Sequence, residues 1–209
     1  GIDAFRCDMA EMVPAEFWAY ATEKVKSLYP KVQFIAEVYT PNEYRHYIAS
    51  GFDYLYDKVG LYDTLRAVIT DGRSASCITG CWQNIDDIRD HMLNFLENHD
   101  EQRIASAYFA GDARKALPAL CVSAMMGNNP FMVYAGQELG EPGMDAEGFS
   151  GSDGRTTIFD YWSVSSLRKL TAAKPESEMN ADEKYLYNYY KQVIHLCKTE
   201  AALNDGNFY

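Results

Sequence analysis

Short apolar runs, nearly all closed by a charged or polar residue, alternate with stretches of helical periodicity along these 209 residues, and that alternation most restricts what the chain can fold into. The runs are Ile2 to Cys7, Val32 to Ala36, Phe52 to Tyr56, Leu93 to Asn98 and Phe131 to Tyr134. Between them lie segments that read as helices. Pro14 opens the first, with Phe17, Ala21, Val25 and Leu28 as its apolar face and Pro30 as its end. Others run from Pro41 to Ala49, capped at Gly51, from Leu61 to Ile69, and from near Asn84 to Met92. Ala113 to Met126 reads as a helix kinked at Pro118, and Ala181 to Cys197 as a long one striped by Leu186, Tyr190, Val193 and Ile194. Strand followed by helix, repeated, implies parallel strands joined by right-handed crossovers, so the expected class is α/β.

Parallel pairing brings strand C-terminal ends to one edge, and the residues there are Asp8, Glu37, Asp57, Asp100 and Glu138. Packing does not account for several acids along one edge. In a (β/α)8 barrel that edge is where residues from different strands converge on a substrate. The opening stretch shows how such an acid is held. Side chains alternate along a strand, so Arg6 and Asp8 share a face and are expected to form a buried ion pair. Because Arg6 cannot give up its charge, Asp8 should stay ionised and fixed, as a nucleophile must be.

Composition narrows the ligand. With 47% hydrophobic residues the chain can build a core, and its net charge of −11 opposes phosphate-rich or anionic-membrane partners, so no nucleic acid and no membrane is expected. No run is long enough to span a bilayer and no signal peptide is evident, although the chain opens directly on a strand and reads as cut at its N-terminus. The five cysteines read as thiols; Cys77 and Cys81, with His91 beyond them, lack the second ligand pair of a zinc site and read as small buried side chains. No Gly-rich nucleotide loop occurs.

The acids suggest a chemistry. Clustered carboxylates repel, so one is pushed toward its protonated form while the one beside Arg6 stays charged. A retaining glycosidase uses such a pair about 5 Å apart, one attacking the anomeric carbon and the other protonating the leaving oxygen. We therefore expect Asp8 as nucleophile, Glu37 as general acid then base, and Asp100 as the group gripping sugar hydroxyls, with Arg6 and His99 assisting. His46, His91 and His195 lie within helical patterns and read as structural. Tyr39, Tyr161 and Trp162 are candidate platforms for a sugar ring, and Arg155 reads as a solvated loop residue.

Four stretches carry a resemblance. Ala4-Phe5-Arg6-Cys7-Asp8 resembles the nucleophile strand of the α-amylase family, glycoside hydrolase family 13, and Phe34-Ile35-Ala36-Glu37-Val38 resembles its acid/base strand. Phe95-Leu96-Glu97-Asn98-His99-Asp100 is similar to its third-acid motif, and Gly136-Gln137-Glu138-Leu139-Gly140 to its last barrel strand. The resemblance implies a TIM (β/α)8 barrel of which this chain carries about strands 4 to 8 and their helices. Residues 1–200 would be the C-terminal half of the barrel, and 201–209 the start of a linker toward a β-sandwich. It implies retaining hydrolysis of α-glucans or maltooligosaccharides by the parent enzyme, with an α-glucan transglycosylase or glucanotransferase, or a non-catalytic sugar-binding relative, as alternatives.

The family's third-strand motif is absent from these residues. Endo-acting members often carry Lys-His at the third and fourth positions after the nucleophile, where this chain has Glu11 and Met12, so the resemblance carries no calcium site and no endo-amylase pattern onto it. No cofactor is expected: nothing in this chain supports calcium, which would have to be held by the rest of the parent. Half a barrel leaves sheet edges open, so self-association of the half barrel is expected.

Overall fold

A computed structural model describes residues 1–143, 153–159, 164–204 and 206. Its strands are β1 (Ala4–Cys7), β2 (Gln33–Ala36), β3 (Tyr54–Tyr56), β4 (Met92–Phe95) and β5 (Phe131–Met132). Helices α1 (Ala15–Leu28), α2 (Tyr44–Ala49), α3 (Asp63–Thr70), α4 (Cys77–Asn84) and α5 (Leu117–Met125) lie among them. After β5 come α6 (Ser165–Leu170), α7 (Pro175–Glu178), α8 (Ala181–Thr199) and α9 (Ala201–Asn204). The alternation is that of the expected α/β class. The chain divides into two compact units, Gly1–Leu65 with Ala75–Asn94, and Arg66–Ser74 with Phe95–Tyr209.

In the first unit the strands pair in parallel and in chain order, β1 with β2, β2 with β3 and β3 with β4. Cys7 aligns with Ala36, Ala36 with Leu55 and Leu55 with Met92. Asp8 and Glu37 are therefore each the first residue past paired positions, level with one another. Phe34, Ala36, Tyr44, Tyr47, Phe52, Leu55 and Met92 form the core beneath.

Helix α1 turns inward only part of the face its sequence suggested, Val25 among it, and adds Ala15, Trp18 and Thr22. Phe17 is 52% and Leu28 74% exposed, while Ala15 and Thr22 are buried. Trp18 and Val25 pack on the core. Polar anchors rotate the helix: Trp18 Nε1 donates to Ala10 O at 2.9 Å and Thr22 Oγ1 donates to Ser50 O at 2.9 Å. The second anchor requires Gly51, at φ 102°, because a Cβ there would lie 2.2 Å from Thr22 Oγ1.

In the second unit α5 packs against α8. Pro118 does not kink a long helix; the chain runs through a 3₁₀ turn at Ala113–Ala116, and Pro118 lies in the opening turn of α5, where a missing N–H costs nothing. The Asn84 to Met92 helix is likewise replaced by α4 and a 3₁₀ turn at Arg89–His91. β4 stops at Phe95, so His99 and Asp100 sit on a turn beyond it rather than at its last residue. Helix α8 starts on a reciprocal capping box between Asn180 and Glu183 and buries Leu186, Tyr190 and Val193. No helix among the described residues is long and apolar enough to cross a membrane.

Asp57 and Glu138, grouped with the strand-end acids by sequence, have local partners. Asp57 Oδ1 accepts from Leu61 N at 2.8 Å and caps the wide turn Lys58–Tyr62; Glu138 Oε2 accepts from Gly136 N at 3.0 Å. Burial pushes the Asp57 carboxyl up to about 6, against the opposing hydrogen bonds from Leu61 and Gly60. The native state then keeps a proton that the unfolded chain releases near 3.8, so this group's contribution is full below that pH and is lost as pH rises through about 6. Urea denaturation between pH 4 and 8 should show Asp57→Asn, neutral throughout, lacking a pH-dependent loss of about 3 kcal/mol that the wild type carries.

Candidate active site

The first unit gathers Arg6, Asp8, Glu37 and Tyr39 around one guanidinium. Arg6 Nη1 hydrogen-bonds Asp8 Oδ1, while Nη2 lies 3.0 Å from Glu37 Oε1 in an electrostatic contact outside hydrogen-bond alignment. Arg6 also stacks over Tyr56, 5.4 Å from its ring centre. Burial pulls the guanidinium pKa down, but hydrogen bonds to Asp8 and Tyr56 and the charge of Glu37 outweigh it and push it further up. The buried Arg6–Asp8 pair expected from sequence is not what forms. Asp8 is 76% exposed and the buried member is Glu37, at 4%. The physical reason is cover: both acids lie one residue past the ladder, but the turn after β1 folds back onto Glu37.

That turn wraps back onto Glu37. Met9 N donates to Glu37 Oε2 at 2.7 Å, Ala10 N donates to Glu37 O at 3.0 Å, and Tyr39 Oη donates to Glu37 Oε1 at 2.9 Å. Tyr39 was expected as a sugar platform; its hydroxyl is directed at the carboxylate, and Lys58 Nζ sits 5.9 Å over its ring. Glu11 Oε2 accepts from Thr40 N at 3.1 Å and so ties the loops after β1 and β2.

In the second unit, Asn98 Oδ1 accepts from the amides of Asp100 and Glu101, each at 2.9 Å, which bends the chain after β4 and presents His99 and Asp100. His99 Nε2 lies 3.3 Å from Asp100 Oδ2. Beneath them Arg103 and Glu97, each 1% exposed, form an ion pair at 2.8 Å. Glu97 Oε1 also accepts from Ile104 N at 2.7 Å, and Arg103 Nη2 donates to Ala135 O and Thr156 Oγ1, both at 2.9 Å. The Tyr134 ring lies 4.0 Å from the guanidinium carbon. One buried arginine thus ties together the ends of β4 and β5 and the segment 153–159. Gly143 and Gly154 permit this approach, since a Cβ on Gly143 would meet Gly154 O at 2.5 Å. A cavity of about 590 Å³ opens beside His99, Arg103, Tyr134, Thr156 and Leu167.

Other candidates resolve simply. Arg155 Nε lies 3.2 Å from Asp153 Oδ2, and His91 Nδ1 contacts Asp53 O at 2.9 Å. Cys81 Sγ contacts Thr64 Oγ1 at 2.8 Å, and among the described residues no group of three or more His, Cys, Asp or Glu is placed to hold a metal ion. Tyr161 and Trp162 lie outside the described residues. Sequence reasoning missed Glu97 with Arg103, although an acid inside an apolar run six residues before an arginine was a signal for a buried pair. It also missed Met9, whose amide role leaves no trace in residue type.

Parallel strands in chain order, whose level ends carry an arginine-bridged pair of carboxylates, define the class as α/β. The model of the alpha-amylase catalytic domain matches residues 1–206, and the chain belongs to the alpha-amylase family of glycoside hydrolases. Alpha-amylase MalA of Haloarcula japonica is 31% identical over 148 residues, covering 68% of this chain and 21% of that protein. A cyclomaltodextrinase structure superposes with a TM-score of 0.69 at 21% identity, covering 98% of this chain and 32% of the other. The cyclic alpha-maltosyl-(1→6)-maltose hydrolase of Arthrobacter globiformis, in complex with cyclic alpha-maltosyl-(1→6)-maltose, gives 0.72 at 19%, covering 99% and 42%. The chain therefore spans well under half the length of each of these proteins, and the structural likenesses are likenesses of fold.

Removing one partner of the Glu97–Arg103 pair leaves the other charge buried. Burial pushes the Glu97 carboxyl up, and Arg103 is what opposes it. Arg103→Met should cost about 3–5 kcal/mol in chemical denaturation, well beyond the loss on an exposed arginine such as Arg45→Met.

Proposed function

We propose that the parent of this chain is a retaining α-glycoside hydrolase acting on α-glucans or maltooligosaccharides, with residues 1–200 supplying about strands 4 to 8 of its (β/α)8 barrel and 201–209 leading toward a further domain. The observation that carries the reading is the single guanidinium of Arg6 shared by Asp8 and Glu37, one exposed and one buried. Two carboxylates in such different surroundings suit two different roles.

In this mechanism an Asp8 carboxylate oxygen attacks the anomeric carbon as the bond from that carbon to the glycosidic oxygen breaks. The bonding electrons go to the departing oxygen, which takes the proton from Glu37. Glu37, now a carboxylate, then removes a proton from water, whose oxygen displaces Asp8 and restores the starting site. Arg6 hydrogen-bonds Asp8 and holds its carboxylate in one orientation. Asp100, with His99 beside it, holds sugar hydroxyls and favours the distorted ring. If a sugar hydroxyl replaces water in the second step, the outcome is transfer, as in a transglycosylase.

The test is product analysis by the full-length parent enzyme, which supplies the rest of the barrel, on maltooligosaccharides and soluble starch, with and without an added sugar acceptor. Hydrolysis is expected, and Asp8→Asn, Glu37→Gln and Asp100→Asn should each lower kcat at least about a thousandfold. Longer products appearing with acceptor would move the assignment to transfer, and binding without turnover would move it to a sugar-binding relative.

We also propose self-association through the free edge of β1. Phe5 on that strand, Ile2 just before it, and Phe17, Leu28 and Tyr29 on or beside α1 are exposed, and an exposed apolar edge is a template for pairing. Sedimentation velocity should show oligomers, and Phe5→Lys should return the chain to monomer.

A further inference from the structure

We infer that Tyr39, together with the backbone of Met9, is a positioning group that decides which oxygen of Glu37 carries the transferable proton. This rests on Glu37 being the acid/base and deepens that reading. The two carboxylate oxygens are not equivalent. Oε1 accepts the Tyr39 hydroxyl at 2.9 Å and faces Arg6 Nη2 at 3.0 Å; Oε2 meets the Met9 amide at 2.7 Å. A proton on Oε1 would sit against the Arg6 guanidinium, whereas Oε2 meets a neutral amide instead. Oε2 keeps a second lone-pair direction, so the acidic hydrogen belongs there.

Met9 makes this possible at a conformational cost. It is the non-glycine residue among those described with positive φ, at φ 43° and ψ 45°, a left-handed geometry that disfavours most side chains. The strain is held in place on both sides, by Met12 N donating to Met9 O at 2.9 Å and Ala10 N donating to Glu37 O at 3.0 Å. Its effect is to aim one N–H at Oε2. Strained backbone of this kind persists where the surroundings over-determine it, and here it lies beside the candidate nucleophile.

The arrangement acts in the proton-transfer step. As the Oε2–H bond breaks and the hydrogen passes to the glycosidic oxygen, the carboxylate charge that develops is shared with Oε1. There the Tyr39 hydroxyl bond becomes charge-assisted and strengthens. Tyr39 therefore stabilises the transition state of departures that need a proton more than it stabilises bound substrate, and Phe at this position keeps the ring while losing the bond.

Two measurements on the full-length parent enzyme and its Tyr39→Phe variant decide this. Amide hydrogen exchange at Met9 should be slow in the wild type and about threefold or more faster in the variant, because Glu37 is no longer held in one rotamer; Ala10, bonded to the Glu37 main chain, should be unchanged. On a maltooligosaccharide, kcat should fall about tenfold more than on 2,4-dinitrophenyl α-glucoside, whose leaving group needs no proton, with KM nearly constant. Unchanged Met9 exchange, or equal losses on the two substrates, would overturn the inference. If the wild type cleaved neither substrate the acid/base reading would fail by itself, and the Met9 exchange would still decide whether Tyr39 holds Glu37.

Discussion

Parallel pairing of consecutive strands aligns their C-terminal ends, and the chemistry of the first unit depends on that alignment. With Cys7 level with Ala36, the next residues of β1 and β2 emerge side by side, and they are Asp8 and Glu37. Two carboxylates placed so closely need a counter-charge that survives at any working pH. Arg6 is that counter-charge, and its fork geometry lets separate nitrogens address each acid. A lysine, offering a point charge, would not divide itself in this way.

The second unit solves a similar problem by burial. Glu97 and Arg103 are withdrawn from water, so the pair is costly to assemble and costlier still to break, and Ile104 N, Ala135 O and Thr156 Oγ1 are drawn in to satisfy it. The network flanks the turn that carries His99 and Asp100. Asn98 adds the bend by accepting two amides on one oxygen. Polar networks thus locate the candidate site residues in both units, while the apolar cores supply the scaffold on which those networks are stretched.

Much of this was legible in the residue pattern, and the exceptions share a cause. The alternation of strands and helices, the α8 stripe of Leu186, Tyr190 and Val193, and the family membership all follow from periodicity and motif. Periodicity misjudged part of α1 because Thr22 is buried for its hydrogen bond to Ser50 O, and Trp18 packs on the core while its indole N–H donates to Ala10 O. Pro118 was read as an interruption because a proline at a helix start and one in its middle look alike until the helix boundary is known. Asp57 was counted with the strand-end acids, although its partner is the amide of Leu61 four residues on.

By itself the sequence determined which residue types stand at the strand ends, since a four-residue strand followed by an acid is local information and parallel order follows from the crossovers. Only the tertiary structure decided which of those acids is buried, which oxygen of Glu37 meets which donor, and that Met9 takes a left-handed turn to supply one of them. The reason is physical. Burial and hydrogen-bond direction depend on what a neighbouring segment, distant along the chain, places over a given atom, and no spacing between residues encodes that.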